Sequence, residues 1–215
     1  MSHLLPPSDD ALEALEPIFA AAAASMGFVP NSMRTMAHMP QLPVALLLLA
    51  STSYGGDLKG LIQGLGERIP AGEPSPDNLP ASTVQLIAYA SSVRAGCRYC
   101  QAHTSHTGHK AGAEAAQFAD ILRYESSPLF SAAERALVDM AFAAAATPNE
   151  VTASHFEALR GHFSERQIVQ IVAVISTFGF LNRWNDTMAT QLEDVPRQFA
   201  NDHLGPLDWQ SGKHG

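Results

Sequence analysis

Signals that start and stop helices recur along the whole chain, whereas the alternation of apolar and polar residues that is typical of strands does not appear. Side chains that cap helix N-termini precede most of the apolar segments, and Gly or Pro follows them. These signals predict an all-α fold, a helical bundle. The predicted helices start near Ser8, Asn31, Pro40, Leu58, Ser82, Arg98, Ala113, Ser131, Thr152 and Ser164, with a loop from Ile69 to Pro80.

Individual prolines, glycines and capping residues refine the predicted boundaries of these helices. Pro17 is predicted to divide the first of them and Gly27 to end it. The pattern Ser82-Thr-Val-Gln85 has the form of a capping box that opens a helix to about Arg94. Ser131-Ala-Ala-Glu134 is a second capping box, and it opens a helix that Pro148 closes.

Three more predictions concern the later part of the chain. Ala113 to Arg123 is predicted to form one helix, and the final helix is predicted to reach about Glu193. The stretch from Asp202 to Gly215 is polar and contains Pro206, so we expect a loose tail there.

The only two cysteines, Cys97 and Cys100, form a C-x-x-C motif, and His103 follows three residues after the second. Gly96 is expected to end the preceding helix, so that a helix from Arg98 to Lys110 carries the motif. Residues three apart share one face of a helix, so both sulfurs and the imidazole would form one patch. Because a thiolate is the nucleophile and a nearby imidazole lowers a thiol pKa, the pattern favours redox or nucleophilic chemistry.

Two other interpretations of the motif stay open. A zinc site normally needs four ligands, and the chain has no second C-x-x-C. His103, His106 and His109 recur every three residues, however, and histidines of this run can complete a zinc site with the two cysteines. The cysteines can also be purely structural.

Composition restricts the class of protein. Of the 215 residues, 46% are hydrophobic and 16% are charged, which is typical of a compact globular chain. The net charge of −8 and the lack of a basic run argue against a nucleic-acid partner. The chain shows no secretory signal, and neither Pro17–Met33 nor Pro40–Ser53 suits a membrane span, so we expect a cytoplasmic protein without a membrane partner. These two apolar stretches also predict a homo-oligomer.

A short internal echo relates the motif region to the final helix. Gln85 precedes the first cysteine by twelve residues and the second by fifteen, and Gln170 stands in the same relation to Asn182 and Asn185. A degenerate helical repeat, with amides in place of the thiols, and chance are both explanations of this match.

Four segments resemble the AhpD-like alkylhydroperoxidases of the carboxymuconolactone decarboxylase superfamily. They are G-F-V-P-N from Gly27, A-G-C-R-Y-C-Q-A-H-T from Ala95, F-S-A-A-E-R-A-L from Phe130 and F-L-N-R-W-N-D-T from Phe180. The resemblance implies an all-helical homo-oligomer built on a repeated helical unit. On this basis the chain is one domain, 1–215, with an N-terminal helical part at 1–80, a C-x-x-C core unit at 81–125, a C-terminal helical repeat at 130–195 and a tail at 200–215.

The resemblance also implies roles for the motif residues. In the best understood members the second cysteine attacks a peroxide and the first resolves the sulfenic acid as a disulfide, which assigns these roles to Cys100 and Cys97. His103 would assist by lowering the pKa of Cys100. An external dithiol would then reset the pair.

Two positions depart from the family pattern. Gln85 stands where the family has a glutamate, and the histidine comes one residue early, with Thr104 at the expected position. An amide cannot act as a carboxylate base, so a proton relay needs another group; Tyr99 and His106 are the candidates, and each also has a plain packing or surface interpretation.

The leading interpretation is an enzyme, a thiol-dependent hydroperoxide reductase or dithiol–disulfide oxidoreductase acting on a small peroxide. No flavin, haem or nicotinamide fingerprint is present, so no cofactor is expected. One alternative is a zinc-binding or interaction protein that uses Cys97, Cys100, His103 and His106. Another is a lactone decarboxylase, a reaction that does not require the cysteine pair.

Overall fold

The computed structural model describes residues 3–70, 75–205 and 208–215, and these ranges contain twelve α-helices and no strand. The predicted all-α fold is therefore confirmed. The chain divides into two compact units, Met1–Asn78 and Leu79–Gly215. None of the helices in the described ranges combines the length and the apolar character that crossing a bilayer requires.

The first unit is built of short helices around a small core. It contains α1 (Asp9–Glu13), α2 (Glu16–Met26), α3 (Asn31–Met36), α4 (Gln41–Ser53) and α5 (Leu58–Leu65). As predicted, Pro17 lies in the first turn of α2, and Gly27 ends that helix in the left-handed conformation, with φ 80°. The predicted cap of α3 is wrong, because Asn31 is already helical and Pro30 takes the N-cap position. The core contains Leu15, Ile18, Phe19, Met33, Val44 and Leu65.

The second unit is organised around α6. Its helices are α6 (Ala81–Ala95), α7 (Arg98–Lys110), α8 (Ala115–Ala119), α9 (Ala132–Ala145), α10 (Ala153–Arg160), α11 (Glu165–Met188) and α12 (Asp194–His203). Helix α6 packs against α7, α9 and α11, and every residue from 86 to 92 is buried. The buried hydroxyls of Ser91 and Ser92 donate hydrogen bonds to the carbonyl oxygens four residues earlier, so both hydroxyls lie in the core with a hydrogen-bond partner.

The capping predictions succeed at α9, at α10, where Thr152 is the N-cap, and at α11; they fail at α6, as they do at α3. Ser131 forms a capping box at α9, and Ser164 forms one at α11. The predicted box at Ser82 is wrong. Helix α6 starts at Ala81, so its N-cap is Pro80, two residues before Ser82, and this residue has no side chain that can accept a hydrogen bond.

Two predicted helix boundaries also need correction. The stretch Ala113–Arg123 is not one helix, since α8 covers only its middle and a separate 3-10 turn covers Ile121–Arg123. The final predicted helix stops at Met188 rather than Glu193, because Ala189 adopts the left-handed conformation, with φ 48°.

The predicted loose tail is packed. Leu204 and Trp209 are buried, and His214 is only 1% exposed. The N–H of Leu192 donates to the carbonyl oxygen of His214 at 2.8 Å, which holds the last turn against the segment between α11 and α12. The polar composition of Asp202–Gly215 concealed these few side chains that pack into the core.

Candidate functional site

The two cysteines lie at the junction of α6 and α7, as predicted. Gly96 ends α6 in the left-handed conformation, with φ 75°, and Cys97 is the extended N-cap residue of α7. Cys100 follows in the first turn, and its N–H donates to Sγ of Cys97 at 3.4 Å. Both thiols are free and almost fully buried, with exposed fractions of 0% and 3%.

A close approach of α6 and α7 fixes this junction. A Cβ at Gly108 of α7 would lie 2.4 Å from Cζ of Phe118 and 3.1 Å from Cβ of Gln85 on α6. A separation of 2.4 Å does not occur between packed carbon atoms, so any side chain at this position would force the Phe118 ring to move where α7 passes α6 and α8.

The two thiols differ in their electrostatic surroundings. The pKa of Cys97 is lowered by the hydrogen bond from the Cys100 thiol and by the backbone N–H groups of Cys100 and Tyr99, against the opposing effect of burial. The pKa of Cys100 is raised because its thiol donates to Cys97, because it is buried, and because a charged Cys97 would lie beside it. The expectation that His103 lowers the pKa of Cys100 is therefore wrong.

Helix α11 brings two buried amides to the junction. Nδ2 of Asn185 lies 3.5 Å from Sγ of Cys100, to which it donates, and Nδ2 of Asn182 lies 3.5 Å from the carbonyl oxygen of Ser91 on α6. These are the residues that the internal echo aligned with the two cysteines. The echo itself stays a prediction, but Asn185 contacts Cys100, the cysteine with which the echo aligns it, and both side chains are buried.

A charged group lies on the Cys97 side of the dithiol. Sγ of Cys97, a carboxylate oxygen of Asp186 and a ring nitrogen of His214 all lie within 4.8 Å of one another. Oδ2 of Asp186 accepts from Nζ of Lys213 at 2.9 Å, and its Oδ1 lies 3.3 Å from Nε2 of His214. Burial acts to raise the pKa of Asp186, but these two partners outweigh it and lower the pKa.

A second polar group lies on the outer face of α7. Nε2 of His103 lies 2.7 Å from Oε2 of Glu193, and the hydroxyl of Tyr99 donates to Oε1 of the same carboxylate at 3.1 Å. The two rings are stacked at a tilt, with centroids 4.4 Å apart. Burial and the Glu193 carboxylate raise the pKa of Tyr99 to about 12, so the phenol stays protonated at neutral pH. The pair of His103 and Glu193 is about half exposed.

The two positions that depart from the family pattern have local structural roles. Oε1 of Gln85 accepts from the hydroxyl of Thr107 at 3.1 Å, which joins α6 to α7. The hydroxyl of Thr104 donates to the carbonyl oxygen of Cys100 at 2.7 Å and is buried. Neither side chain carries a charge to the thiols.

The structure does not bring the four predicted zinc ligands together. His106 packs on Phe199 of α12, with ring centroids 5.5 Å apart, and burial followed by the charges of its neighbours lowers its pKa. His103 faces Glu193. Of the two cysteines, only Cys97 belongs to a group with metal-ligand geometry within the described part of the chain, and the partners there are Asp186 and His214.

Sequence reasoning missed three polar residues of the site: Asp186 and His214, which lie beside Cys97, and Glu193, which lies beside His103. Asp186 directly follows Asn185, so the internal echo ended one residue before it. Glu193 and His214 carried no pattern of their own, because they reach the site only through the turn after α11 and the packing of the last residues.

Comparison with known proteins places the chain in a family. A sequence profile of the carboxymuconolactone decarboxylase family matches residues 67–143, which include the C-x-x-C junction. The crystal structure of the apo debrominase Bmp8 shares 31% sequence identity, covers 94% of this chain and 98% of its own, and superposes with a TM-score of 0.55. The chain belongs to this family.

Two further structures extend the comparison. A cysteine-to-alanine variant of Bmp8 in complex with 2,3,4-tribromopyrrole shares 29% identity over 94% of this chain and 98% of its own, with a TM-score of 0.55. The AhpD core of a peroxidase-related protein from Ralstonia eutropha JMP134 shares 21% identity over 93% of this chain and 97% of its own; its TM-score of 0.50 shows a common fold. Among curated protein sequences, none matches this chain significantly.

Family membership separates two parts of the site. The matched segment contains both cysteines, Tyr99, His103 and Gln85, whereas Asn185, Asp186, Glu193 and His214 lie beyond its end at residue 143. The dithiol therefore lies within the matched segment, and these four polar side chains come from the rest of the second unit.

Proposed function

We propose that this protein is a dithiol–disulfide oxidoreductase that reduces a small organic hydroperoxide with Cys97 and Cys100. One observation carries the proposal: Sγ of Cys97 caps α7 and accepts the N–H of Cys100, with both thiols free. This arrangement stabilises one thiolate and keeps the second thiol beside it, which is what reversible disulfide formation requires.

Cys97 is the attacking group in this proposal, and Cys100 resolves. The Cys97 thiolate attacks one oxygen of the hydroperoxide, the O–O bond breaks, and the alcohol leaves after it takes up a proton, so that Cys97 becomes a sulfenic acid. The Cys100 sulfur then attacks this sulfur, water leaves, and a disulfide forms. An external dithiol returns the pair to its reduced state.

This assignment reverses the roles that the family resemblance implies. It rests on the N-terminal N–H groups of α7, which point at Cys97 and not at Cys100. Cys100 instead accepts a single long hydrogen bond from Asn185. Since neither cysteine residue is exposed by more than 3%, a small substrate is favoured.

Glu193 takes the place of the missing family carboxylate. Gln85 is uncharged, but the carboxylate of Glu193 is hydrogen bonded to His103 and to Tyr99 on the outer face of α7. A histidine held by a carboxylate is a competent proton donor and acceptor near neutral pH. We assign to His103 and Glu193 the delivery of the proton to the leaving alkoxide.

A second candidate is the reductive removal of bromine from an aromatic ring. The observation in its favour is the 31% identity with a debrominase over almost the whole chain. The chemistry is the same two-electron change: bromine is removed from carbon, a proton replaces it, bromide leaves, and the dithiol becomes a disulfide.

A thiol titration tests both candidates. Reduced protein receives one equivalent of cumene hydroperoxide without oxygen, and free thiols and cumyl alcohol are then counted. We expect two thiols lost and one alcohol formed per chain, with the double variant Cys97→Ser, Cys100→Ser as the control that forms neither. Unchanged thiols with hydroperoxide, but loss of thiols and release of bromide with a bromopyrrole, would transfer the proposal to the second candidate. Unchanged thiols with both would refute it.

We further propose that the protein is a homo-oligomer. Helix α11 exposes Phe180 and Trp184, whose rings are stacked with centroids 6.1 Å apart, and Met188 continues the same face. Exposed apolar faces of this kind mark contacts between chains. Light scattering at micromolar concentration should give a multiple of the 23.0 kDa chain mass, and a mass of one chain would contradict this proposal.

A further inference from the structure

The group formed by Cys97, Asp186 and His214 has the composition of a metal site. Its three ligand atoms, one sulfur, one carboxylate oxygen and one imidazole nitrogen, lie within 4.8 Å of one another. Cys97 and His214 are buried, with exposed fractions of 0% and 1%. A thiolate and an imidazole together select zinc over magnesium or calcium, which prefer oxygen ligands.

The orientation of His214 fits that of a ligand. Its Nδ1 lies 2.8 Å from the carbonyl oxygen of Thr190, an acceptor that holds the ring proton on Nδ1. Nε2 is then the nitrogen left to bind an ion; without one it lies 3.3 Å from Oδ1 of Asp186, and any proton that it shares with that oxygen is released when the ion binds. Histidines that bind metals almost always donate their other ring N–H to a carbonyl or carboxylate oxygen in this way.

The spacing of two ligand atoms already fits zinc. Nε2 of His214 and Oδ1 of Asp186 are 3.3 Å apart. With zinc bonds of about 2.0–2.1 Å to nitrogen and oxygen, two corners of a tetrahedron lie about 3.3 Å apart. The other oxygen of Asp186 accepts from Lys213 at 2.9 Å, so the carboxylate is oriented from outside without losing the atom that faces His214.

Each ligand is carried by a different, well-anchored element. Cys97 is the N-cap of α7, Asp186 lies on α11, and His214 lies in the 3-10 turn Gly212–His214. The hydrogen bond from Leu192 N–H to the His214 carbonyl oxygen fixes that turn. Three protein ligands leave one tetrahedral position open, as in zinc sites that also hold water.

We propose that Cys97 Sγ, Asp186 Oδ1 and His214 Nε2 bind one Zn²⁺ ion, and that the bound ion reversibly withdraws Cys97 from dithiol chemistry. Binding takes the Cys97 sulfur as thiolate and releases its proton if it was a thiol. The two negative ligands then balance the charge of the ion. Inhibition rests on the proposed function, whereas binding does not.

Direct metal titration tests the site. Reduced, chelator-treated protein is titrated with Zn²⁺ by calorimetry, and with Co²⁺ in the spectrophotometer, where a sulfur-to-cobalt charge-transfer band reports a thiolate ligand. We expect one ion per chain and no binding of Mg²⁺. The substitutions Cys97→Ser, Asp186→Asn and His214→Gln should each weaken binding by about a hundredfold or more, since a ligand contributes at least as much as its supporting partners.

Two matched substitutions distinguish this site from the zinc set that the sequence suggested. Cys100→Ser and His106→Gln should keep one ion per chain, because neither residue belongs to the group. Failure of the wild type to bind Zn²⁺, loss of binding in either matched variant, or retention in His214→Gln would overturn the site. Far-ultraviolet circular dichroism shows whether each variant is folded, and so separates a lost ligand from a lost fold. The sulfur-to-cobalt charge-transfer band of the Asp186→Asn variant is a second readout of the same distinction.

The inhibition of dithiol chemistry by Zn²⁺ is measured separately. Zn²⁺ should suppress the loss of thiols caused by hydroperoxide, and a chelator should restore it. If Zn²⁺ binds but hydroperoxide never consumes thiols, the proposed function fails and the metal site stands. If thiols are consumed equally with saturating Zn²⁺, the inhibitory role is refuted.

Discussion

The α6–α7 junction and the C-terminal segment from residue 185 to residue 215 contribute to the site in opposite ways. The junction provides both thiols from four consecutive positions, but its two departures from the family pattern, Gln85 and Thr104, are uncharged. The C-terminal segment provides no thiol, yet it brings Asp186 and His214 to Cys97 and brings Glu193 to His103. The reactive atoms are thus local in sequence, and the polar side chains around them are not.

The largest effect is expected where the junction itself is distorted. Gly108→Ala places a Cβ 2.4 Å from Cζ of the buried Phe118, whose ring also packs edge-on against Tyr89, so the ring has little room to move. We expect the free energy of unfolding to fall by about 1–3 kcal/mol, the usual cost of overpacking. Urea unfolding followed by circular dichroism measures it.

Gly64→Ala is the matched control for this substitution. Gly64 lies in α5 of the other unit, and a Cβ there meets nothing within 4 Å. Alanine is the better helix former by about 0.8–1 kcal/mol, so this variant should be unchanged or slightly more stable. Equal losses at both positions would contradict the close approach of α6 and α7.

The next substitution releases the C-terminal segment, and its effect on stability should be smaller than or equal to that of Gly108→Ala. His214→Ala leaves the carbonyl oxygen of Thr190 and the carboxylate of Asp186 without their imidazole partner and opens a cavity. Such losses cost about 1–3 kcal/mol of stability. Exposed His162 is the control, and His162→Ala should change stability by no more than about 0.5 kcal/mol. A silent His214→Ala variant would mean that the tail is not anchored as described.

The third effect concerns rate and not stability. Glu193→Gln removes the carboxylate that is bonded to His103 and Tyr99. Because positioned acid–base groups contribute about 10²–10⁴-fold and this one acts through His103, we expect hydroperoxide consumption to slow by about tenfold. Stopped-flow measurement at neutral pH tests this.

Restoring the family glutamate sharpens the same comparison. Gln85→Glu keeps an oxygen that accepts from Thr107, and we expect it to leave the rate almost unchanged, because the carboxylate role lies at Glu193. A large acceleration in Gln85→Glu, with no effect of Glu193→Gln, would return the carboxylate role to position 85.

The junction was readable from the sequence because its determinants are local. Gly96, Cys97 and Cys100 occupy the helix end, the N-cap and the first turn that their spacing predicted. The error at Ser82 has a local cause as well, since Pro80 starts α6 before the serine can cap it. In each case a few neighbouring residues decide the outcome.

The charged surroundings were not readable, because they depend on packing between distant segments. Glu193 reaches His103 only because α11 ends at Met188 and the chain turns back, and His214 reaches Cys97 only because the last residues pack. The directions of the pKa shifts of the two thiols were not readable for the same reason. Spacing placed His103 near Cys100, whereas the structure pairs it with Glu193.

The roles of the two cysteines provide the most direct test. Cys97→Ser and Cys100→Ser proteins are each treated with one equivalent of hydroperoxide in the presence of a dimedone-type reagent, and the adduct is located by mass spectrometry. In Cys100→Ser the serine hydroxyl can still donate to Cys97, and the N–H groups of α7 are unchanged, so we predict rapid formation of an adduct on Cys97. Cys97→Ser should react far more slowly. Rapid adduct formation on Cys100 in Cys97→Ser, with an inert Cys100→Ser protein, would contradict the account.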